Sequence, residues 1–337
     1  MRFFEKNGQK GEFRVMFNFN PALEPTMYFI GVTTAYSSIM NIFPRWSTEL
    51  QLGAAIVGID LPLNADSGLY REVVSFIKHD PLSLGALVTT HKMNILKAAK
   101  TEFDYLDSYA TVFEEISSIS KKNGRLEGYA KDPISSGLAM EAFIPENFWY
   151  EHRGEVLILG SGGSALAISA YLANKKHRTN VPTKITLTNH HEDRLVEARR
   201  ILSRLETDVT FDFRLCKTPT DTDKLVRNLT PYSMVVNATG MGKDIPGSPV
   251  TDNVIFPKNS LVWELNYRGA LNFFHQAQKQ EEDRNLRVID GWNYFIHGWT
   301  QVITEVFHVE INAAAFRKLD YIAAQCQPQE VGGTHEH

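Results

Sequence analysis

In GEVLILGSGGSALA an apolar run beginning at Gly154 passes into Gly160, Ser161, Gly162, Gly163 and Ser164, and then into small apolar residues. A tight strand-to-helix turn needs glycine dihedrals, and a pyrophosphate can approach the backbone only where no Cβ stands in the way. Free amides at the start of the next helix, together with its dipole, then hold the negative charge. The strand before, the small-residue helix after and the following strand TKITLTN fit a βαβ unit. A dinucleotide is therefore the expected ligand, with a plain structural turn as the competing reading. The end of the second strand bears on which dinucleotide. NAD sites usually place a carboxylate there for the ribose hydroxyls. Here stands Asn189, which does not repel a 2′-phosphate, with Arg194 one turn into the next helix and His190 as a further cation when protonated. NADP is favoured. NAD stays possible because Glu192 and Asp193 are close by, and Arg194 also reads as an ordinary solvated helix residue.

The elements around this loop alternate. Met27–Val32, Ala54–Leu63 and Gly85–Lys92 read as strands, separated by the amphipathic stretches SSIMNIFPRWSTELQL and LYREVVSFIKHD. RLEGYAKDPISSGLAMEAF moves from a strand through a loop into a helix that links two domains. From Gly154 onward a second strand–helix series runs through TKITLTNHH, DVTFDFRLC, YSMVVNATGMG, LVWELNY and RVIDG. The segment from Trp292 to Gln325 reads as one long helical stretch, and the tail GGTHEH as frayed. Alternation of this kind predicts an α/β fold with parallel sheets and crossover helices.

The chain has 337 residues, which suggests two domains. Hydrophobic residues make up 43% and charged residues 22%, the balance of a globular chain rather than a disordered one. A net charge of −4 argues against a nucleic-acid-binding face. Cys216 and Cys326 share no metal-ligand spacing and build no disulfide framework. The N-terminal MRFFEKNGQKGEFRV lacks the apolar run of a signal peptide, and no stretch approaches a membrane span, so the expectation is a cytoplasmic enzyme acting on a small molecule.

Read in order, the motifs resemble those of the shikimate dehydrogenase family over roughly Gly31 to Phe307. A glycine-led serine loop stands as GVTTAYSS, the lysine loop as LVTTHK, and the GRLxGY strand as GRLEGY, followed by the aspartate of AKD. GSGGSA, Asn189, NATGMG, WELNYRG and IDGW follow in register. The resemblance implies a substrate-binding α/β domain over 1–140, with C-terminal helices over 295–330 packing back onto it, and an NADP-binding Rossmann domain over 141–294, in a setting of aromatic amino acid biosynthesis. It implies Lys92 and Asp132 as the catalytic pair, the lysine relaying a proton at the substrate hydroxyl as hydride moves. Such a base or acid is what alcohol oxidation or ketone reduction requires. It also implies Thr239, Gly240 and Met241 as cofactor contacts, Tyr267 as a substrate contact, and a monomer or homodimer.

Departures from the pattern concern the substrate. Ser37 matches the first serine of the serine loop, but the second position is Ile39. The lysine loop is one residue shorter and lacks its proline, leaving Thr89 as the match to the substrate-binding threonine. Ser117 replaces the asparagine of the Ala-Val-Asn-Thr segment, and Ala130 and Lys131 replace Asn and Thr before Asp132. The glutamine after the IDG strand falls on Gly298, with Gln301 one turn further on. Exchanging buried hydrogen-bonding groups changes discrimination by orders of magnitude. The expected substrate is therefore a related carbocyclic hydroxy acid or cyclitol rather than shikimate itself. Lys131 either meets an acidic substituent or points to solvent. The alternative function is a non-catalytic member of the fold that binds nucleotide or metabolite. HEDR and HEH have no partner at metal-ligand spacing, so no metal is expected. Trp292, Tyr294, Phe295 and Trp299 read first as a helix packing face.

Overall fold

The computed structural model describes residues 3–4, 15–16, 19–243 and 245–326. The stretch MRFFEKNGQKGEFRV falls largely outside the described residues and the tail GGTHEH entirely so. The chain divides into two compact units, Met1–Ala130 with Val302–His337, and Lys131–Gln301.

In the first unit, β1 (Phe3–Phe4) and β2 (Val15–Met16) pair antiparallel. A six-stranded sheet follows, built from β3 (Thr26–Gly31), β4 (Ala55–Asp60), β5 (Ser83–Val88), β6 (Tyr105–Leu106), β7 (Ser118–Lys122) and β8 (Arg125–Tyr129). Its order is β4-β3-β5-β7-β8-β6. β3, β4 and β5 are parallel, whereas β7 runs antiparallel to both β5 and β8, so the sheet is mixed rather than parallel throughout. The helix Ser67–His79 shows how the sequence builds this unit. Asp66 caps it by accepting from the amides of Gly68 and Leu69, and Lys78 and His79 close its last turn. Leu69, Tyr70, Val73, Val74 and Ile77 recur at three- and four-residue spacing and pack into one core with Ile30, Ala86 and Val88. Where one C-terminal helix is expected there are two, Trp292–Phe307 and Ala313–Ala324, with His308 between them at φ 55°.

The second unit carries an all-parallel sheet. Its strands are β9 (Val156–Leu159), β10 (Lys184–Asn189), β11 (Thr210–Leu215), β12 (Met234–Asn237), β13 (Leu261–Glu264) and β14 (Arg287–Ile289). The order β11-β10-β9-β12-β13-β14 is that of the doubly wound dinucleotide fold, with the direction of winding reversing beside β9. β9, β12 and β13 are buried at every position, which explains their unbroken apolar runs. The helix Gly163–Leu172 is apolar all round and buried from Ala165 to Leu172. It packs against the helix Asp132–Glu141, where a Cβ on Gly137 would stand 2.1 Å from the Tyr171 ring.

Candidate active site

Crevices at the carboxyl ends of parallel strands, where winding reverses, are where doubly wound sheets bind ligands. The second unit has a cavity of about 670 Å³ at this place. It is lined by Gly160, Ser161 and Gly162 after β9, by Asn189, His190 and Arg194 after β10, and by Thr239 and Met241 after β12. Gly160 takes φ 113°, and a Cβ there would lie 2.7 Å from the Ala238 carbonyl oxygen. Only glycine lets β9 turn so close to the strand end beside it. Gly162 is the N-cap of the helix Gly163–Leu172, and no side chain bonds to that helix start. A Cβ on Gly162 would meet nothing within 4 Å, so there is open space beside the helix start, whose first amides have no N-cap side chain. Asn189 donates to the Ser161 hydroxyl at 2.9 Å and accepts from the His191 amide, which ties the two loops together.

Gly163, Ser164 and Gly240 do not line the cavity. Gly163 begins the helix, the Ser164 hydroxyl pairs with that of Tyr294 at 3.3 Å, and Gly240 forms the turn that presents Met241. Glu192 and Asp193 are exposed in the first turn of the next helix and also stand outside the lining. Among the described residues no carboxylate lines the cavity, while Arg194 and Lys217 do. The residues present thus fit a phosphate-bearing dinucleotide: a glycine turn, bare helix amides and cationic side chains without an opposing acid.

Sequence reasoning missed the third side of this cavity. Cys216, Lys217 and Thr218 follow β11, and the Cys216 amide donates to the Asn189 carbonyl at 2.9 Å. The available signal is adjacency: a strand parallel to β10 ends at the same crevice. Burial pushes the Cys216 thiol up. Glu264 was passed over as well. It is fully buried at the end of β13, and burial raises its carboxyl to about 7 against the opposing hydrogen bonds from Asn266 and Asn237.

The other predicted residues of this unit are Asp132, Tyr267 and Gln301. Asp132 opens its helix, is 8% exposed, and its carbonyl accepts from the hydroxyls of Ser135 and Ser136. Lys131 is buried at 7% exposure, so it does not point to solvent. The Tyr267 ring packs on Phe295, centroids 4.3 Å apart, and on Trp292 at 5.7 Å. Gln301 is half-buried in the helix Trp292–Phe307.

In the first unit, Thr89, Lys92 and Ser117 come together beyond the end of β5. The Thr89 amide donates to the Ile30 carbonyl, and the Ser117 carbonyl accepts from Val88. Lys92, half-buried, begins the helix Lys92–Ala99, and its carbonyl accepts from the Ile116 amide. The preceding His91 is 1% exposed and its ring is pinned on both sides, by Tyr70 and by the Gly31 carbonyl. Ser37 closes the short turn Thr34–Tyr36 after β3, a loop fixed by the Thr34 amide on Asp60 at 2.7 Å. Ile39, which stands where the family has its second serine, is fully buried in the first turn of its helix and faces the core.

The architecture is therefore that of a two-unit α/β protein with a dinucleotide-type sheet in one unit. No protein-family model matches the chain. The chain resembles the shikimate dehydrogenases in sequence and shares their fold. It is 23% identical over 283 residues to the shikimate dehydrogenase (NADP(+)) of Nitrosopumilus maritimus, covering 84% of this chain and 93% of that one. A crystal structure of a shikimate dehydrogenase in complex with NADP+ superposes with TM-score 0.69 at 20% identity, covering 91% of this chain and 96% of that one. The ligand-free 5-ketofructose reductase of Gluconobacter sp. superposes with TM-score 0.63 at 17% identity, covering 88% and 98%. Among the described residues no helix is long and apolar enough to cross a membrane.

Proposed function

We propose that this protein is an NADP-dependent dehydrogenase that exchanges hydride between the nicotinamide and an alcohol or ketone carbon of a shikimate-like carbocycle or related polyol. The observation that carries the reading is the cavity of the second unit, with its glycine turn, bare helix start and cationic lining free of acids among the described residues. The relative from Nitrosopumilus, named as an NADP-dependent shikimate dehydrogenase, supports the cofactor and the reaction type.

When bound, the dinucleotide supplies or accepts the hydride. The work left to the chain is to bind, orient and move a proton. Gly160 and the amides at the start of Gly163–Leu172 receive the pyrophosphate, and Arg194 with Lys217 meets the 2′-phosphate. Lys92 gives a proton to the carbonyl oxygen in reduction and takes it back in oxidation, and Asp132 accepts from the substrate hydroxyl. Ser37, Thr89, Ser117, Tyr267 and Gln301 supply the polar contacts to the ring. Buried Ile39 and the loss of a loop proline make the carboxylate and ring contacts different from those of a shikimate pocket. The fold neighbour named 5-ketofructose reductase supports a wider ketone range than one carbocycle.

The test is a fluorescence titration with NADPH and NADH, followed by NADPH oxidation with 3-dehydroshikimate, 3-dehydroquinate and keto-sugars. Preferential NADPH binding with turnover of one ketone supports the reading. Binding without turnover across that panel favours a metabolite-binding protein, and no binding of either nucleotide overturns the assignment.

A further inference from the structure

Glu264 and Asn237 are register partners at the ends of the neighbouring parallel strands β13 and β12. Both are fully buried. Asn237 Nδ2 donates to Glu264 Oε2 at 2.8 Å and to the Met241 carbonyl at 3.2 Å. Its Oδ1 accepts from the Thr239 amide at 3.1 Å and the Thr239 hydroxyl at 2.6 Å. The Met241 amide donates to that hydroxyl, and Asn266 donates from its side chain to the Met241 carbonyl at 2.9 Å and from its amide to Glu264 Oε1 at 2.8 Å. The orientation of the Asn237 amide thus depends on what Glu264 offers it, and that amide in turn sets the turn carrying Thr239 and Met241, two residues that line the cofactor cavity.

We propose that Glu264 is a positioning residue of the cofactor site: its ionised carboxylate orients Asn237, and through it the 239–241 turn, so that a proton taken up by Glu264 loosens the cofactor. The inference rests on the dinucleotide reading of the cavity. Around the carboxylate stand donors, namely the Asn237 amide on β12 and the Asn266 and Leu265 groups that follow on its own strand. On the flanking strand β14 the charged group is Arg287, which pairs with Leu261 at the other end of β13, and just past that strand stands Asp290, which accepts from the Trp292 amide and is itself raised by burial. An O–H on Glu264 would face donors and lose one of these bonds. Flipping the Asn237 amide to accept that O–H would bring its NH2 against the Thr239 N–H, donor against donor. Ionisation falls in the physiological range, because burial lifts this carboxyl to about 7.

The experiment is NADPH titration of the whole chain from pH 5.5 to 8.5, in the wild type and in Glu264→Gln, with thermal melts to verify folding. The pH dependence of the ligand itself is common to both proteins, so the difference between the two profiles isolates Glu264. The wild type is expected to lose about tenfold more affinity between pH 8 and pH 6 than the variant, about the effect of one displaced proton per pH unit. E264Q is expected to bind more weakly at pH 8 and to show the flatter profile. Parallel profiles overturn the proposal while leaving the cofactor reading intact, whereas no NADPH binding at any pH overturns both. If E264Q does not fold, hydrogen exchange on the wild type decides. Thr239 and Met241 amides that lose protection between pH 8 and pH 6, after correction for intrinsic rates, support the proposal, and unchanged protection overturns it.

Discussion

The Tyr70 hydroxyl lies 3.0 Å from His91 Nδ1, and this contact fixes the protonation of a buried ring next to Lys92. His91 Nε2 stands 3.3 Å from the Gly31 carbonyl, which only accepts, so Nε2 carries the hydrogen and Nδ1 accepts from Tyr70. Asn94 completes the chain by donating to the tyrosine oxygen at 3.4 Å. These bonds join the lysine loop to the end of β3 and to the helix Ser67–His79, in a loop that lacks the proline of its relatives. Tyr70→Phe should therefore lower stability by about 1 kcal/mol, the usual cost of leaving one buried partner unpaired. Urea denaturation checks this; an unchanged midpoint would mean that Tyr70 does not anchor the ring.

A half-buried histidine in the other unit makes stability depend on pH. Burial pushes His297 down to about 4, only partly countered by the nearby Glu141 carboxylate. Its folded-state pKa lies below the unfolded value near 6.5, so the unfolded chain binds the extra proton. The contribution is complete above about pH 6.5 and is lost as pH falls toward 4, by about 2–3 kcal/mol in all. Unfolding free energy between pH 7 and pH 4.5 should fall more steeply in the wild type than in His297→Leu; matching slopes would contradict the shift.

For the proton-handling pair, Lys92→Ala and Asp132→Asn should each lower turnover by roughly two to four orders of magnitude. NADPH affinity should stay within about twofold, because neither residue lines the cofactor cavity. Steady-state kinetics beside fluorescence titration separates the two effects. Near-native turnover in both variants would remove them from the mechanism.

On the proposed reading, cofactor choice rests on Arg194 in the helix Glu192–Leu202 and on Lys217 after β11. Arg194→Ala and Lys217→Ala should each weaken NADPH binding roughly 10- to 100-fold, in the range of one or two charge-assisted contacts, and leave NADH nearly unchanged. Competition by 2′,5′-ADP against 5′-AMP reads the phosphate alone. An equal loss for both nucleotides would show that these side chains do not discriminate between them.

At Gly160 even a methyl group has no room. Gly160→Ala should cost more than about 2 kcal/mol in stability, through a positive φ and the contact with the Ala238 carbonyl, and should abolish NADPH binding. Calorimetry of the variant with and without NADPH is the check, with a normal ligand-induced rise in Tm as the refuting result.

The central strands of the second unit, β9, β12 and β13, were legible because burial on both faces makes them apolar up to the residue that ends each run. The first unit was harder to read. β7 is Ser118-Ile119-Ser120-Lys121-Lys122, and both serines are fully buried. Nothing in its composition marks a strand; it is held by β5 on one side and β8 on the other. The single C-terminal helix failed at His308, because apolar spacing continues through a break made by one left-handed residue. Of the residues around the cavity, the sequence reading named those in local turns, such as Gly160, Gly162 and Asn189, and did not name Lys217 or Glu264. Each matters through a neighbour on another strand, Asn189 and Asn237, and sequence patterns along one strand carry no record of such pairings. Ile39 and Lys131, which depart from the family pattern, are both buried.

The central strand β9 has β12 as one neighbour, with Leu159 opposite Asn237, so that pairing joins residues 78 positions apart. The glycine turn that follows β9 leans on Ala238. During synthesis the ribosome must therefore release the chain well beyond residue 240 before the nucleotide-binding turn has its supporting wall. Until then the nascent chain carries its glycine motif held from the β10 side alone. Long-range parallel pairing also closes slowly. Nucleotide supplied during refolding should accordingly leave the early collapse unchanged and act only after β12 has docked.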